Sequence, residues 1–224
     1  MMRTRFTFLF VTISVLSISN AAGQQQKEWV QSIGVNLLQI PATTIDLSCE
    51  LSNNHKYTIV GNAGYTINYA NSFDFIGFLM SPHYKCANDG YVIKNQSGGF
   101  VKAGVKYNFR KSLQRRNFFY LGAFIDNSLI KENAEFYDYN NPESEVEYLN
   151  HKVFILGLTG AAGFNFAIAN KLSADFGVHI SVPSANYKKL YGYSNYIPGM
   201  GYMETCGNEK FFPMLVLNLK YKLK

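Results

Sequence analysis

The sequence predicts an all-β protein, folded as an eight-stranded antiparallel up-and-down transmembrane β-barrel. Three observations predict this fold. Apolar and polar side chains alternate along eight separate segments, the connections between these segments are mostly short and long in turn, and no stretch beyond the N-terminal leader is apolar for long enough to form a membrane-spanning helix. Membrane barrels have this period-two alternation, with apolar residues facing lipid and polar residues facing the lumen.

The clearest alternation lies in residues 153–182, which read as two strands joined by a tight turn at 168–171. On the first strand, Phe154, Leu156 and Leu158 share one face, and Gly157 and Thr159 lie on the other. The apolar face of the second strand carries Leu172, Ala174, Phe176, Val178, Ile180 and Val182. Each strand therefore has one apolar face and one face that is small or polar.

Six further segments show the same pattern, and each is near the ~9–11 residues that a tilted strand needs to cross a bilayer. They are residues 29–38, 43–51, 56–69, 99–109, 118–130 and 211–224. The connections 70–98, 131–151 and 183–210 are long and the others are short. Because outer-membrane barrels have short periplasmic turns and longer external loops, we expect both termini on the periplasmic side.

The polar face distinguishes a membrane barrel from a soluble, lipocalin-like barrel, in which the apolar face points inward. It carries glycines and charges of both signs, which favours a crowded interior over a solvated surface. The predicted interior network comprises Asp46, Glu50, Lys102, Lys106, Asp126, Asp175, His179 and Lys220. An eight-stranded lumen has room only for side chains, so these charges must pair.

Two pairs are expected near the periplasmic end, Asp175 with Lys220 and Glu50 with Lys106. The favoured interpretation is a structural plug of salt bridges. A gated pore or a proton-linked site is the alternative.

Residues 1–23 are predicted to be a cleaved signal peptide. Arg3 and Arg5 precede an apolar run at 6–18, and small residues follow at 19–23. The mature chain, residues 24–224, is then a single barrel domain in the bacterial outer membrane. Export permits disulfides, and a Cys86–Cys206 bridge between two long loops is the candidate, with three free thiols (including Cys49) as the alternative.

The sequence offers no strong catalytic or ligand-binding motif, so no catalytic residue, cofactor or metal site is predicted. His179 and Ser181 share a strand face and faintly resemble the His-x-Ser of lipid A deacylases, but no carboxylate follows at the spacing needed to orient the histidine. The net charge of +6 is mild and no Lys/Arg stripe follows a regular element, so nucleic acid is not an expected partner.

Three stretches resemble a known family: IGVNLLQIPATTIDLSCELSNNHKYTIVGNAGY at 33–65, GGFVKAGVKYNF at 98–109, and the hairpin at 153–182. They are similar to small eight-stranded bacterial outer-membrane proteins with an outer membrane protein beta-barrel domain, and more distantly to the OmpA/OmpX type. The chain departs from such proteins at its end, which reads Tyr221, Lys222, Leu223, Lys224 where an aromatic residue usually serves the barrel-assembly machinery.

These motifs are architectural and do not specify an activity, and we expect a non-enzymatic protein that has an envelope-structural role or binds surfaces and mediates adhesion through extracellular loops. Its expected partners are outer-membrane lipid and lipopolysaccharide, the barrel-assembly machinery, and an extracellular protein or glycan. A porin-like conduit for small or apolar solutes is the first alternative, and a lipid-modifying enzyme is the second.

Overall fold

The computed structural model describes residues 29–52, 55–81, 90–141, 143, 145–190, 196–202 and 210–223. Eight of its strands are β1 (Val30–Asn36), β2 (Thr44–Ser52), β3 (Tyr57–Thr66), β4 (Tyr91–Asn108), β5 (Phe118–Phe136), β6 (Glu147–Ala167), β7 (Leu172–Pro183) and β10 (Phe212–Lys222). They form a closed barrel in the order β1-β10-β7-β6-β5-β4-β3-β2. Every neighbouring pair is antiparallel, so the predicted eight-stranded fold is confirmed.

The two faces of each strand have opposite environments, as β2 illustrates. Asp46 and Glu50 point into the lumen and are buried, and Ile45, Leu47 and Cys49 point outward and are exposed. Because side chains alternate across a strand, a continuous apolar belt lies on the outside of the sheet, and the charged residues lie inside together with apolar side chains such as Val60 and Phe124. This burial is the inverse of the usual arrangement in a water-soluble domain.

The barrel has two distinct ends. The β2–β3, β4–β5 and β6–β7 connections and both terminal strand ends lie at one end, which we call the short-turn end. The opposite end, the long-loop end, carries the other connections. The β1–β2 connection also lies there and is a 3-10 helix, Leu37–Gln39, whose first turn is capped by the Asn36 side chain accepting from the Leu38 backbone N–H.

The prediction that residues 131–151 form a loop is wrong at both ends of this segment. β5 continues to Phe136 and β6 already begins at Glu147, and the two strands stay in register to that point. β4 likewise begins at Tyr91, inside the predicted connection 70–98. These segments escaped prediction because they alternate poorly. Residues 131–136 carry charges on both faces, and their backbone pairing with β4 and β6 continues through the whole segment.

The three long strands project beyond their neighbours. β3 pairs with β4 only as far as Gly98, and β7 pairs with β6 only as far as Gly157. Residues 91–97, 131–136 and 147–156 therefore form a three-stranded sheet past the rim of the barrel, which we call the outer extension.

The connection 183–210, predicted as a loop, contains two short strands. β8 (Tyr196–Ile197) and β9 (Gly201–Tyr202) pair as a separate two-stranded hairpin. A short helix, α1 (Phe75–Met80), lies between β3 and β4, and Asp74 caps it by accepting from the Gly77 N–H at 3.0 Å.

The buried apolar side chains concentrate at the long-loop end, where the hairpin packs against the barrel wall. One cluster includes Ile155, Ile197, Met200 and Phe212. A second brings Tyr69, Ile76, Tyr196 and Tyr202 together with Ala42.

Candidate functional site

Four charged side chains form a closed ring inside the barrel near the short-turn end. Lys106 Nζ lies 2.5 Å from Glu50 Oε1 and 2.7 Å from Asp175 Oδ2. Lys220 Nζ lies 2.9 Å from Glu50 Oε2 and 2.9 Å from Asp175 Oδ1. The two lysines and two carboxylates alternate, so the ring is neutral and each buried charge meets two opposite charges.

The ring links side chains from four strands, most of which are not neighbours in the sheet. Glu50 lies on β2, Lys106 on β4, Asp175 on β7 and Lys220 on β10, and only β7 and β10 are direct neighbours. The structure places together the two expected pairs, Glu50 with Lys106 and Asp175 with Lys220. It also joins both pairs into one unit. Lys106 Nζ additionally lies 4.5 Å from the centroid of the Tyr120 ring, within cation–π range.

A second group of charges lies deeper in the lumen. Lys102 Nζ is 3.5 Å from Asp126 Oδ1 and 3.5 Å from His179 Nδ1. Asp126 also accepts a hydrogen bond from the Thr159 hydroxyl. These three predicted residues are buried and belong together, but they make no direct contact with the ring among the contacts of the described residues.

Asp46 is the eighth predicted residue and is held by amides instead of a cation. The Asn36 side-chain N–H donates to Asp46 Oδ2 at 3.1 Å, and the Asn62 side-chain N–H donates to Asp46 Oδ1 at 3.2 Å. Sequence reasoning missed these amide partners. Their inward position on β1 and β3 was the available signal, because a buried carboxylate requires donors.

The hairpin β8–β9 closes the long-loop end of the lumen. The Tyr196 hydroxyl donates to Gln39 Oε1 at 2.7 Å and lies 3.0 Å from the Thr44 hydroxyl. The Tyr202 hydroxyl donates to Asp74 Oδ2 at 2.7 Å, and the Ser181 hydroxyl donates to the Met200 carbonyl at 2.7 Å. This inward-folded hairpin, which we call the plug hairpin, was not predicted from the sequence.

The two closures leave little free space between them. The cavity enclosed by Asp46, Lys102, Tyr120, Phe124 and His179 has a volume of about 20 Å³, room for about one water molecule. A larger cavity of about 420 Å³ lies below the ring and opens at the short-turn end. We call this cavity the vestibule.

His179 and Ser181 do not form a nucleophile–base pair. The Ser181 hydroxyl is fully buried and is engaged with Thr159 and the Met200 carbonyl, and the imidazole of His179 faces Lys102. Both side chains point into the closed lumen.

The outer extension carries its own ion pair. Lys94 Nζ lies 2.9 Å from Glu135 Oε2, and the Tyr137 hydroxyl donates to the same oxygen. The hydrogen bond from Tyr137 and the ammonium of Lys94 lower the pKa of the Glu135 carboxyl below its usual value. In return, the hydrogen bond to Glu135 raises the pKa of Tyr137 and of Lys94.

Some expectations lie outside the described residues. The signal peptide at 1–23 is among them, as are both cysteines of the candidate bridge, Cys86 and Cys206. Cys49 is a free, exposed thiol on the outer face of β2. Within the described ranges, no group of three or more His, Cys, Asp and Glu side chains is arranged to hold a metal ion. No helix of the described part is both long and apolar enough to cross a membrane.

The similarity of this chain to known proteins lies in its fold. No family model matches the chain, and no curated protein matches it. Among solved structures, the chain is similar to Neisserial surface protein A (NspA), with 12% identity, a TM-score of 0.41, and coverage of 87% of this chain and 96% of that one. It is also similar to a major outer membrane protein from Thermus thermophilus, with 9% identity, a TM-score of 0.46, and coverage of 87% and 98%.

Proposed function

We propose that this chain is a bacterial outer-membrane barrel, exported by its signal peptide, that supports the envelope and binds surfaces through its long-loop end. The reversed burial of its wall carries the proposal. Leu158 on the outer face is 64% exposed, and Lys102 and Asp126 on the inner face are 2% and 1% exposed. Such a wall is unstable in water and suited to lipid, because the hydrophobic effect penalises a continuous exposed apolar belt.

Aromatic side chains on the outer face at the short-turn end also support a location of the barrel in a membrane. On the outer face, the rings of Tyr57 and Tyr107 are 5.4 Å apart, those of Tyr107 and Phe109 are 5.0 Å apart, and those of Phe119 and Phe164 are 4.7 Å apart. Membrane barrels carry aromatic girdles at the lipid–water interface. The girdle and the apolar belt together are the proposed contacts with outer-membrane lipid and lipopolysaccharide.

The outer extension supports the surface-binding part of the proposal. It stands clear of the barrel rim and presents Tyr148 at 79% exposure, with Tyr139 exposed at its tip. Tyrosine gives a large contact area for little loss of side-chain entropy, and it is enriched at binding surfaces. The proposed partner is an extracellular protein or glycan.

The closed lumen gives no support to a conduit. The plug hairpin and the ring both lie across the described lumen, and the cavity beside His179 between them has a volume of about 20 Å³. An envelope-structural and surface-binding role requires no open channel.

Two experiments test the membrane part of the proposal. Protein extracted from outer membranes is run on a gel with and without boiling, and a shift on boiling is expected. An epitope is then inserted after Asn140 in one variant and after Ala169 in another. On intact cells, antibody should reach only the first. A protein that is soluble in periplasmic extract and does not shift would overturn the proposal, and labelling of the second variant alone would reverse the orientation.

The surface-binding part is tested by retention of cells on a mucin-coated surface, which presents both protein and glycan. Cells with the wild-type chain should be retained more than cells with a Tyr139→Ala/Tyr148→Ala variant. A Tyr57→Ala variant at the other end is the matched control. If wild-type cells are retained no better than cells without the protein, the surface-binding part is wrong and only the structural role stands.

A further inference from the structure

The vestibule is a concave site for which neither the barrel wall nor the proposed surface binding has a use. Its volume of about 420 Å³ is within the ~300–1,000 Å³ typical of small-molecule sites. The four-residue ring closes its inner end, and residues of the β4–β5 and β6–β7 connections, such as Gln114 and Asn170, line its rim. A ligand that enters from this side cannot pass through the barrel, so the vestibule is a pocket and not a channel entrance.

The lining of the vestibule carries a net positive charge. Of its lining residues, Glu50 and Asp175 are the carboxylates, and both are already neutralised by Lys106 and Lys220 in the ring. The remaining charged lining residues are the cations Arg110, Arg116, Lys171 and Lys222. A concave surface with charges of one sign and low-dielectric walls concentrates the opposite ion, so the outer part of the vestibule favours a multivalent anion.

The two arginines are positioned by contacts that, among the described residues, engage only part of each guanidinium. Arg110 Nε donates to the His55 carbonyl at 2.8 Å, and its guanidinium lies 4.5 Å from the centroid of the Phe118 ring. Arg116 donates to the Ala169 carbonyl from one terminal nitrogen. A planar guanidinium donates in pairs to the oxygens of a phosphate, which favours phosphate over a spherical anion.

The rest of the lining is rich in neutral hydrogen-bonding groups. Gln114, Asn170 and Ser173 contribute amides and a hydroxyl beside the cations. Such groups match the hydroxyls of a sugar or polyol, which both donate and accept. The chemistry of the vestibule therefore combines a phosphate site with a site for a hydroxyl-rich body.

We propose that the vestibule binds a small phosphate monoester with a hydroxyl-rich body, of the hexose phosphate class, from the side where the chain termini lie. The inference goes beyond the proposed function. Binding to purified protein in detergent requires neither a membrane nor a surface partner, so the two proposals can fail separately.

The chain supplies a natural reporter for the test. Its single tryptophan, Trp29, directly precedes Val30, which lines the vestibule. Glucose 6-phosphate is titrated into folded protein in a non-ionic detergent and a phosphate-free buffer, with Trp29 fluorescence and titration calorimetry as two readouts. We expect saturable binding that weakens with added salt, and no binding of glucose.

Substitutions of the charged lining residues then test whether the ligand binds at the rim of the vestibule. Arg110→Gln/Arg116→Gln should weaken binding at least about tenfold, a loss of about 1.4 kcal/mol. Lys171→Gln/Lys222→Gln should also weaken it, and this second pair serves if the arginine variant fails to fold by the gel-shift criterion. Lys94→Gln/Lys152→Gln removes the same charge from the outer extension and should leave binding unchanged.

A further arm identifies the source of the phosphate. Short-chain phosphatidic acid carries the same phosphate monoester on a lipid. If it binds and glucose 6-phosphate does not, the phosphate site stands and its occupant is a lipid headgroup. If neither ligand gives a saturable signal in either readout up to 10 mM (about 2.7 kcal/mol of affinity), or if the control pair weakens binding as much as the arginine pair, the proposal is overturned.

Discussion

Lys106 and Asp175 are in contact across the lumen, although the strands that carry them are not neighbours in the sheet. Lys106 Nζ on β4 lies 2.7 Å from Asp175 Oδ2 on β7, with β5 and β6 between them. Backbone pairing fixes only neighbouring strands. This contact spans the barrel interior and, with the rest of the ring, fixes the shape of its cross-section.

Removing one cation from the ring should strongly destabilise the barrel. Lys106→Met leaves Glu50 and Asp175 facing Lys220 alone, and breaking a buried ion pair costs about 3–5 kcal/mol. The free energy of unfolding is measured by urea titration in lipid vesicles. Lys152→Met, at an exposed position of β6, should change it by less than about 0.5 kcal/mol. Equal effects of the two substitutions would contradict a stabilising ring.

The Tyr196 hydroxyl should be needed to hold the plug hairpin in the lumen. Tyr196→Phe leaves the buried Gln39 and Thr44 side chains without this partner, at a cost of about 1–3 kcal/mol. Limited proteolysis of the connection between β7 and β10 measures the effect, and cleavage should accelerate. Tyr148→Phe makes the same chemical change at an exposed site. It should have no effect on cleavage.

Both the backbone conformation at residue 199 and the side chain packed against it require a glycine at this position. Its φ is +80°, and an added Cβ would lie 2.4 Å from the Phe100 ring. Gly199→Ala should therefore displace the plug hairpin and lower the temperature at which the folded gel band disappears. The control is Gly61→Ala on the outer face, where an added Cβ meets no atom within 4 Å. A normal melting temperature for the Gly199 variant would show that the hairpin adapts without cost.

The lumen should not conduct ions. In planar bilayer recordings the wild-type protein should give no steady current, because the plug hairpin and the ring both lie across it. A variant that lacks residues 196–202 should also give no steady current, because the ring remains in place. A stable single-channel current from the wild-type protein would mean that both closures open together.

The titration of Glu135 should report the packing of the outer extension. Its pKa is lowered by the Tyr137 hydroxyl and by Lys94, so the stabilisation is present at neutral pH and is lost as the pH falls through the folded-state pKa. Tyr137→Phe should raise the pKa of Glu135, measured by carboxyl-carbon NMR. Tyr139→Phe is the control. An unchanged Glu135 titration in the Tyr137 variant would exclude the hydrogen bond in solution.

The sequence was most informative where lipid or a filled lumen constrains every second residue. The faces of β2 and β7 follow from period-two alternation, because a slip of one residue would place Asp46 or Asp175 in the apolar belt. The pairs Glu50–Lys106 and Asp175–Lys220 follow from counting residues from the short turns. Their union into one ring does not, because it depends on side-chain reach across a lumen of unknown radius.

The plug hairpin and the outer extension were hidden for different reasons. Each strand of the hairpin is two residues long, too short to show any period, and its position depends on contacts with Gln39 and Asp74, which are distant in sequence. In the outer extension, charged residues occupy both faces of residues 131–136, although Glu132 and Ala134 are buried, so the sequence there carries no clear apolar–polar alternation. The continued pairing of β4, β5 and β6 and the Lys94–Glu135 ion pair hold it in the sheet.

The pairing of β1 with β10 has a consequence for the order of assembly. These are the first and the last strands of the described barrel, so the sheet cannot close until β10 pairs with β1. Lys220 lies on that last strand, and until it docks, Lys106 alone must neutralise two carboxylates. Glu50 and Asp175 therefore gain their second cation only when the last strand closes the barrel. Charge neutralisation and closure are then a single step, and a chain shortened by its final strand would lose both.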